Sequence, residues 1–239
     1  MIENTVTHLL DSRCVEDASP INISHVFACE VDKRCQEELL ILPNGPKCVF
    51  DNILDVTPDA YRSAVGIDGS EPAHPAYLRE RLPTCTPKTH AWCIKHGKSC
   101  AFKTADVHVA GISCTDHSAM GKREELMGKS ARVFYIWAAQ RRQLREKMII
   151  TENVTTFGHE PFCALLGDLY EVARITLSPV QLGWATMRSR QFVFLFYKQS
   201  MYGVLREENG AKSKYEFELC FRDLGRMPAV CAQFLFGNV

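Results

Sequence analysis

Short apolar runs alternate with amphipathic stretches along most of this 239-residue chain. Amphipathic spacing predicts two helices, over about 32–42 and 131–146. β-branched and aromatic runs predict six strands, over 22–29, 47–50, 106–112, 147–151, 171–177 and 191–197. This alternation is typical of an α/β fold in which helices cover both faces of a parallel sheet.

Two segments depart from the alternation. Residues 68–104 hold four prolines, three cysteines and three histidines, and we expect an insertion or a long loop there. After residue 198 the pattern weakens into a mixed segment of about 40 residues. The sequence therefore predicts a main domain over 1–198, which contains the insertion, and a smaller region over 199–239.

The charge of the chain is balanced overall but not along its length. The 28 basic and 28 acidic residues cancel, and 46% of the residues are hydrophobic, which is typical of a folded protein. Residues 1–72 nevertheless hold 5 basic and 13 acidic residues, whereas residues 73–239 hold 23 and 15. Zero net charge therefore does not exclude a polyanionic partner for the second part.

The cysteine content bears on the compartment. Eleven cysteines are many for this length, but the first 13 residues lack the basic start and apolar run of a secretory signal. The longest apolar run is about seven residues, and a membrane span needs roughly 20. We expect an intracellular protein with free thiols, without a membrane partner, and nuclear if its source is eukaryotic.

Candidate catalytic residues follow four of the predicted strands. In an open α/β sheet, ligands bind beyond the carboxyl ends of the strands. Glu30, Asp51, Cys114 and Glu152 all come directly after a strand or a few residues beyond it. One such acid means little, but a nucleophile and three acids at successive strand ends predict a site.

Cys114 lies in a loop rich in glycine and polar residues. A thiolate is a strong nucleophile, and a positive neighbourhood favours it. The segment 122–147 that follows holds 8 basic and 3 acidic residues. The alternative interpretation is one more buried thiol among eleven.

Two further motifs occur downstream. Glu152 and Asn153 follow a strand, where a half-sheltered carboxyl group can donate a proton and the amide can pin the loop. Arg188 and Arg190 precede the last strand and, two residues apart, can share one face. Paired guanidinium groups suit phosphate or a polar base edge, although a solvated strand edge would show the same pattern.

Together these motifs resemble the cytosine-C5 DNA methyltransferase family. That family carries a Pro-Cys-Gln loop, then Glu-Asn-Val, then Gln-x-Arg-x-Arg before a strand, and here Glu152 follows Cys114 by 38 residues. The acid-ended strand that holds the cofactor ribose resembles residues 27–32, and the Gly-Asp-Ile segment beside the adenine resembles residues 48–54. The resemblance covers residues 23–198, about three quarters of the chain.

The resemblance implies a Rossmann-like, S-adenosylmethionine-dependent enzyme that methylates C5 of a flipped cytosine in DNA. Cys114 would add to C6 of the base, and Glu152 would contact N3 and the exocyclic amine. Arg190 would contact the base carbonyl oxygen, and Arg188 would hold the catalytic loop. By the same resemblance, Glu30 would bind the cofactor ribose, with Asp51 or Asn52 near the adenine.

The chain also departs from the family pattern. Ser113, Thr115 and Thr186 replace its proline and two glutamines, and no glycine precedes Gly45. We therefore expect an incomplete first strand without the family's glycine-rich cofactor loop, and a reduced target-recognition region. Three alternatives stay open: a tRNA cytosine-5 methyltransferase, a catalytically silent relative that binds nucleic acid or a partner, and a zinc-stabilised interaction module.

The last alternative comes from cysteines and histidines within residues 68–104. Cys93, His96 and Cys100 are spaced as zinc ligands can be, and Cys85 supplies a fourth candidate. No standard zinc finger has this pattern, so free loop side chains are the favoured interpretation, and the catalytic hypothesis needs no metal.

Overall fold

Strands and helices alternate in the computed structural model, which describes residues 23–112, 131–182 and 188–200. The helices are α1 (Lys33–Ile41), α2 (Pro75–Arg81), α3 (Ala131–Leu144) and α4 (Glu160–Leu166). The strands are β1 (Phe27–Cys29), β2 (Cys48–Phe50), β3 (His90–Cys93), β4 (Lys98–Ala101), β5 (Val107–Gly111), β6 (Met148–Asn153), β7 (Tyr170–Leu177) and β8 (Arg190–Tyr197). All predicted helices and strands within the described ranges are present, with boundaries that differ by a few residues.

The strands form two four-stranded sheets, in the orders β1-β2-β3-β4 and β5-β6-β8-β7. β1 pairs with β2, and β5 with β6, in parallel. The other pairings are antiparallel, and β8 runs between β6 and β7 in the opposite direction to both. The α/β class is confirmed, but the expected parallel sheet is wrong, because β8 is antiparallel to both β6 and β7, and β3 is antiparallel to both β2 and β4.

Of the two interpretations of residues 68–104, the long loop is wrong, whereas the insertion stays a prediction. This stretch contains α2 and a hairpin of β3 and β4, and β3 pairs with β2. Along β3, Ala91 and Cys93 are buried while His90 and Trp92 are exposed, which is the period of a strand with one covered face. The hairpin adds two strands to the sheet that begins with β1 and β2.

Helix α3 lies at the centre of the hydrophobic core. Phe134 stacks on Trp137 with ring centroids 5.9 Å apart and meets Phe162 edge to face at 5.2 Å. The Trp137 ring donates from Nε1 to Nε2 of His108 on β5 (3.1 Å), which ties the helix to the second sheet. Burial lowers the pKa of His108, so its imidazole is neutral and can accept this bond. Within the described ranges, no helix has the length and apolarity of a bilayer span.

A fully buried ion pair closes the carboxyl end of α3. Arg141 and Glu146 are both 0% exposed, and the guanidinium donates to the Glu146 carboxylate and to Oε1 of Gln140. Burial raises the pKa of Glu146 and lowers that of Arg141, and the mutual attraction opposes both shifts. The pair fixes the turn that leads from α3 into β6.

Candidate functional site

The parallel pairing of β1 and β2 places two predicted cofactor residues side by side. Cys29 lies opposite Phe50 in the register, so Glu30 and Asp51 follow adjacent strand ends. The backbone N–H of Glu30 donates to the Phe50 carbonyl (3.1 Å), which extends the pairing to the edge itself. The sequence expectation that these carboxylates share one sheet edge agrees with this register.

Gln36 of α1 bridges the two strand ends with hydrogen bonds. Its side chain is 4% exposed, and Nε2 donates to the Glu30 carbonyl (2.5 Å) and to Oδ1 of Asp51 (2.7 Å). Asp32 caps the amino end of α1 by accepting from the backbone N–H groups of Arg34 and Cys35. This cap sets the rotation of the helix that brings Gln36 to the edge. Sequence reasoning missed Gln36, because apolar periodicity carries no information on a polar side chain that is buried through its hydrogen bonds.

The carboxylates of this edge are oriented by local hydrogen bonds. Oε1 of Glu30 accepts from the Asp32 backbone N–H (2.8 Å), while no residue in the described ranges donates to its second oxygen. Lys33 donates to Asp51 (3.0 Å), and this hydrogen bond, helped by Gln36, lowers the pKa of Asp51. A fixed carboxylate with one free oxygen fits the vicinal hydroxyls of a ribose.

Asn52 has a capping role at the same edge. Its side-chain oxygen accepts from the backbone N–H of Leu54 (2.9 Å) and begins a short 3-10 helix, Ile53–Val56. The amide N–H groups of Asn52 remain to donate to a ligand. Asp51 and Asn52 therefore offer an acceptor and a donor next to each other, the pair that recognition of an adenine edge requires.

A second cluster lies at the carboxyl end of β6. The guanidinium Nε of Arg190 is 2.7 Å from Oε1 of Glu152, with side chains 21% and 43% exposed. Glu152 lies opposite Gly111 of β5 and Phe192 of β8, so three strands meet here. The structure thus joins two of the predicted catalytic residues in one partly exposed ion pair.

Asn153 connects the end of β6 to the residue that follows β5. Its side chain is 2% exposed, and Nδ2 donates to the Ile112 carbonyl (3.2 Å). Its Oδ1 accepts from the backbone N–H of Val154 (2.9 Å). The Asn153 amide thus holds Ile112, the residue that follows β5, against the end of β6, as the predicted loop-pinning function requires.

The structure describes only one of the other two predicted catalytic residues, Arg188. Cys114 lies outside the described residues, three positions beyond Gly111 in the sequence. Arg188 is exposed and precedes β8, whose first residue is Arg190. Cys29, the thiol nearest Glu30 in sequence, is unsuited to nucleophilic attack because burial, with the charges of Asp55 and Glu30, raises its pKa to about 12.

The predicted zinc residues are brought together only in part. Cys93, His96 and Cys100 converge, but Cys85 is not in their cluster, and Cys48 of β2 completes it instead. Cys85 ends the 3-10 helix Leu82–Thr84, and burial raises its pKa to about 11. The expected ligand set is therefore corrected from Cys85 to Cys48. Spacing alone could not show this, since Cys48 is 45 residues from Cys93 in sequence.

Comparisons with known proteins give structural neighbours only. No protein-family model matches the chain, and no curated protein matches it. Similar solved structures include a protein described as a DNA modification methyltransferase from an E. coli prophage (14% identity, TM-score 0.40, 73% of this chain). Others are the S. pombe Dnmt2 methyltransferase (15%, 0.38, 81%) and the Entamoeba histolytica methyltransferase EhMeth (14%, 0.33, 72%). The chain spans 40%, 56% and 53% of these three structures, respectively.

Proposed function

We propose that this chain is the core of an S-adenosylmethionine-dependent methyltransferase that acts on C5 of cytosine in DNA. The observation that carries the proposal is the Glu152–Arg190 pair (2.7 Å), which lies in register with Gly111, where the strand leading to Cys114 ends. Cys114 follows Gly111 by three residues, which span at most about 11 Å of chain, so the proposal puts its thiol within reach of this edge. A nucleophile, an acid and a cation would then act together on one base.

The cofactor would lie at the ends of β1 and β2. S-adenosylmethionine supplies the methyl group on a positively charged sulfonium. Glu30 would hold its ribose through the free carboxylate oxygen, and Asp51 and Asn52 would face the adenine. The anionic edge suits this cation, since Glu30 and Asp51 lie on adjacent strands.

The chain's own residues would perform the remaining steps on the base. The Cys114 thiolate would add to C6 and make C5 nucleophilic, and once C5 carries the methyl group, loss of the C5 proton to water would break the C6–sulfur bond and release Cys114. Glu152 would hold a proton at N3 and accept from the exocyclic amine, which stabilises the adduct. Arg190 would donate to the base carbonyl oxygen. The observed ion pair between Arg190 and Glu152 would keep both groups oriented before the base arrives.

DNA is the favoured substrate, and transfer RNA is the alternative. The basic excess of residues 73–239, 23 against 15, supports a polyanionic partner of either kind. A base must be extruded from a duplex, or presented by a loop, before Cys114 can reach C6.

Transfer of a labelled methyl group from S-adenosylmethionine tests the proposal. We expect incorporation into cytosine-containing DNA, loss of it with Cys114→Ser, and a fall of about 10²- to 10⁴-fold with Glu152→Gln, as for removal of a general acid. Cys163→Ser, which changes an exposed thiol, is the matched control and keeps full activity.

Other outcomes of the same assay separate the alternatives. Incorporation into transfer RNA alone would identify the RNA branch. If the wild-type chain, with Cys114 intact, binds DNA but transfers no methyl group, the result would contradict the proposed enzyme activity and support a catalytically silent relative.

A further inference from the structure

Three thiols surround one imidazole nitrogen at the far end of the first sheet. Nδ1 of His96 is 3.3 Å from Sγ of Cys93, 3.5 Å from Sγ of Cys100 and 3.8 Å from Sγ of Cys48. The four ligand atoms all lie within 4.8 Å of one another. An imidazole nitrogen either donates one hydrogen bond or accepts one, so hydrogen bonding cannot account for three sulfur neighbours.

The register of the sheet brings the cysteines together. Phe50 of β2 lies opposite Cys93, and Ala91 of β3 lies opposite Cys100. Residues opposite each other, or two apart along a strand, point to the same face. Cys48, Cys93 and Cys100 therefore share one face of β2, β3 and β4.

The turn between β3 and β4 supplies the histidine. Gly97 has a φ of +60°, a conformation that other residues rarely adopt, and its N–H donates to the Cys93 carbonyl (2.9 Å). The Ile94 N–H donates to the Val49 carbonyl (2.8 Å), and Nζ of Lys95 to the Pro46 carbonyl (2.8 Å). These bonds hold the turn against β2, with His96 over the thiols.

We propose that Cys48, Cys93, His96 and Cys100 bind one zinc ion in a structural site. Zinc–sulfur bonds of about 2.3 Å and zinc–nitrogen bonds of about 2.0–2.1 Å, at tetrahedral angles, put sulfur and nitrogen about 3.6 Å apart. The three observed separations lie on both sides of that value. Three thiolates and an imidazole are a ligand set that favours zinc over magnesium or calcium.

The ligand set and the position of the site indicate a structural function for the metal. Four protein ligands close the coordination sphere, as in structural rather than catalytic zinc sites. Cys48 begins β2, whereas Asp51 follows its other end, so the metal lies away from the proposed cofactor edge. The zinc would clamp the β3–β4 hairpin to β2 and thereby hold the strand that presents Asp51 and Asn52.

Metal analysis of the purified full chain tests the site. We expect one zinc per chain by native mass spectrometry and elemental analysis, and a lower melting temperature after chelation that added zinc restores. Cobalt substituted for zinc should give the absorption of a tetrahedral thiolate complex. None of these readouts depends on methyl transfer, so failure here is distinguishable from failure of the proposed function.

Substitutions locate the ligands. Cys93→Ser and Cys100→Ser should lose the metal, while Cys85→Ser, a nearby cysteine outside the cluster, should keep it. His96→Cys preserves four ligands and should retain zinc with an altered cobalt spectrum, so folding failure of one variant does not decide the matter.

Four results would overturn the proposed zinc site. A folded wild-type chain that neither carries nor takes up zinc would overturn the site. So would iron as the sole metal, an octahedral cobalt spectrum, or zinc loss with Cys85→Ser but not with Cys93→Ser.

Discussion

One buried amide holds the two strand ends of the proposed cofactor edge. Gln36 donates to the Glu30 carbonyl and to Asp51, and only 4% of it is exposed. Lys33 adds a second hydrogen bond to Asp51 from the surface. At the residue scale, the Asp51 carboxylate and the Glu30 backbone therefore both depend on a side chain that need not touch the ligand.

Replacing Gln36 should weaken cofactor binding. In Gln36→Ala, Asp51 loses its buried donor, and we expect S-adenosylmethionine to bind about tenfold more weakly in titration calorimetry, with about 1–2 kcal/mol less stability. Glu37→Ala, a change at the exposed neighbour in α1, is the control and should leave both values unchanged. Equal losses in the two variants would contradict the bridging function.

The sequence pattern predicts residues of this edge unevenly. Glu30 and Asp51 are predictable because an acid directly after a buried strand has only one sheet edge to reach. Gln36 is not predictable, since helical spacing predicts an apolar side made of Cys35, Leu39, Leu40 and Leu42. Of these four, Leu39 and Leu42 are half-buried, and Cys35 and Leu40 are exposed. Helix α1 meets the sheet edge through the hydrogen bonds of Gln36, and an analysis of apolar periodicity cannot predict such polar contacts.

At the scale of elements, apolar periodicity predicts strands and helices but not their directions. β7 and β8 are predictable from their β-branched and aromatic residues, yet nothing in their composition shows that β8 runs antiparallel. The β3–β4 hairpin was not predicted, because His90, Trp92 and Lys98 alternate with small residues and cysteines, and this is not the apolar run of a typical strand. Cys48 was not predicted as a ligand, because the pairing of β2 with β3, and not spacing along the sequence, brings it close to Cys93.

The buried ion pair between α3 and β6 gives an element-scale prediction. Glu146→Gln leaves the guanidinium of Arg141 without a countercharge, and we expect a loss of about 3–5 kcal/mol in the free energy of unfolding, measured with urea. The matched control is Asp106→Asn, which breaks an exposed pair with Lys147 near the start of β6. It should cost about 1 kcal/mol or less. Similar losses in both variants would contradict the argument.

At the scale of the whole molecule, the charge is divided along the chain. Residues 1–72 are acidic and contain the proposed edge for a cationic cofactor, while residues 73–239 are basic and contain Arg188 and Arg190. The zero net charge is the sum of these opposed parts. Such a division fits a protein that binds a sulfonium and a nucleic acid on separate surfaces.

This division predicts a salt-sensitive association with DNA. If four phosphates are neutralised, raising the salt from about 50 to 200 mM should weaken binding about 100-fold in fluorescence anisotropy. The affinity for S-adenosylmethionine, which involves few charges, should change much less over the same range of salt. DNA affinity independent of salt would contradict the assignment of the basic part to nucleic acid.

The central claim is that Cys114, Glu152 and Arg190 form one cytosine-methylating site, and covalent trapping tests it most directly. Full-length protein would be mixed with S-adenosylmethionine and a DNA duplex containing 5-fluorocytosine, in which fluorine at C5 blocks the proton loss that releases the thiol. We predict a denaturation-resistant protein–DNA adduct attached at Cys114, present with Cys163→Ser and absent with Cys114→Ser. A folded chain that binds this DNA and the cofactor but forms no adduct, or one attached at another cysteine, would contradict the claim.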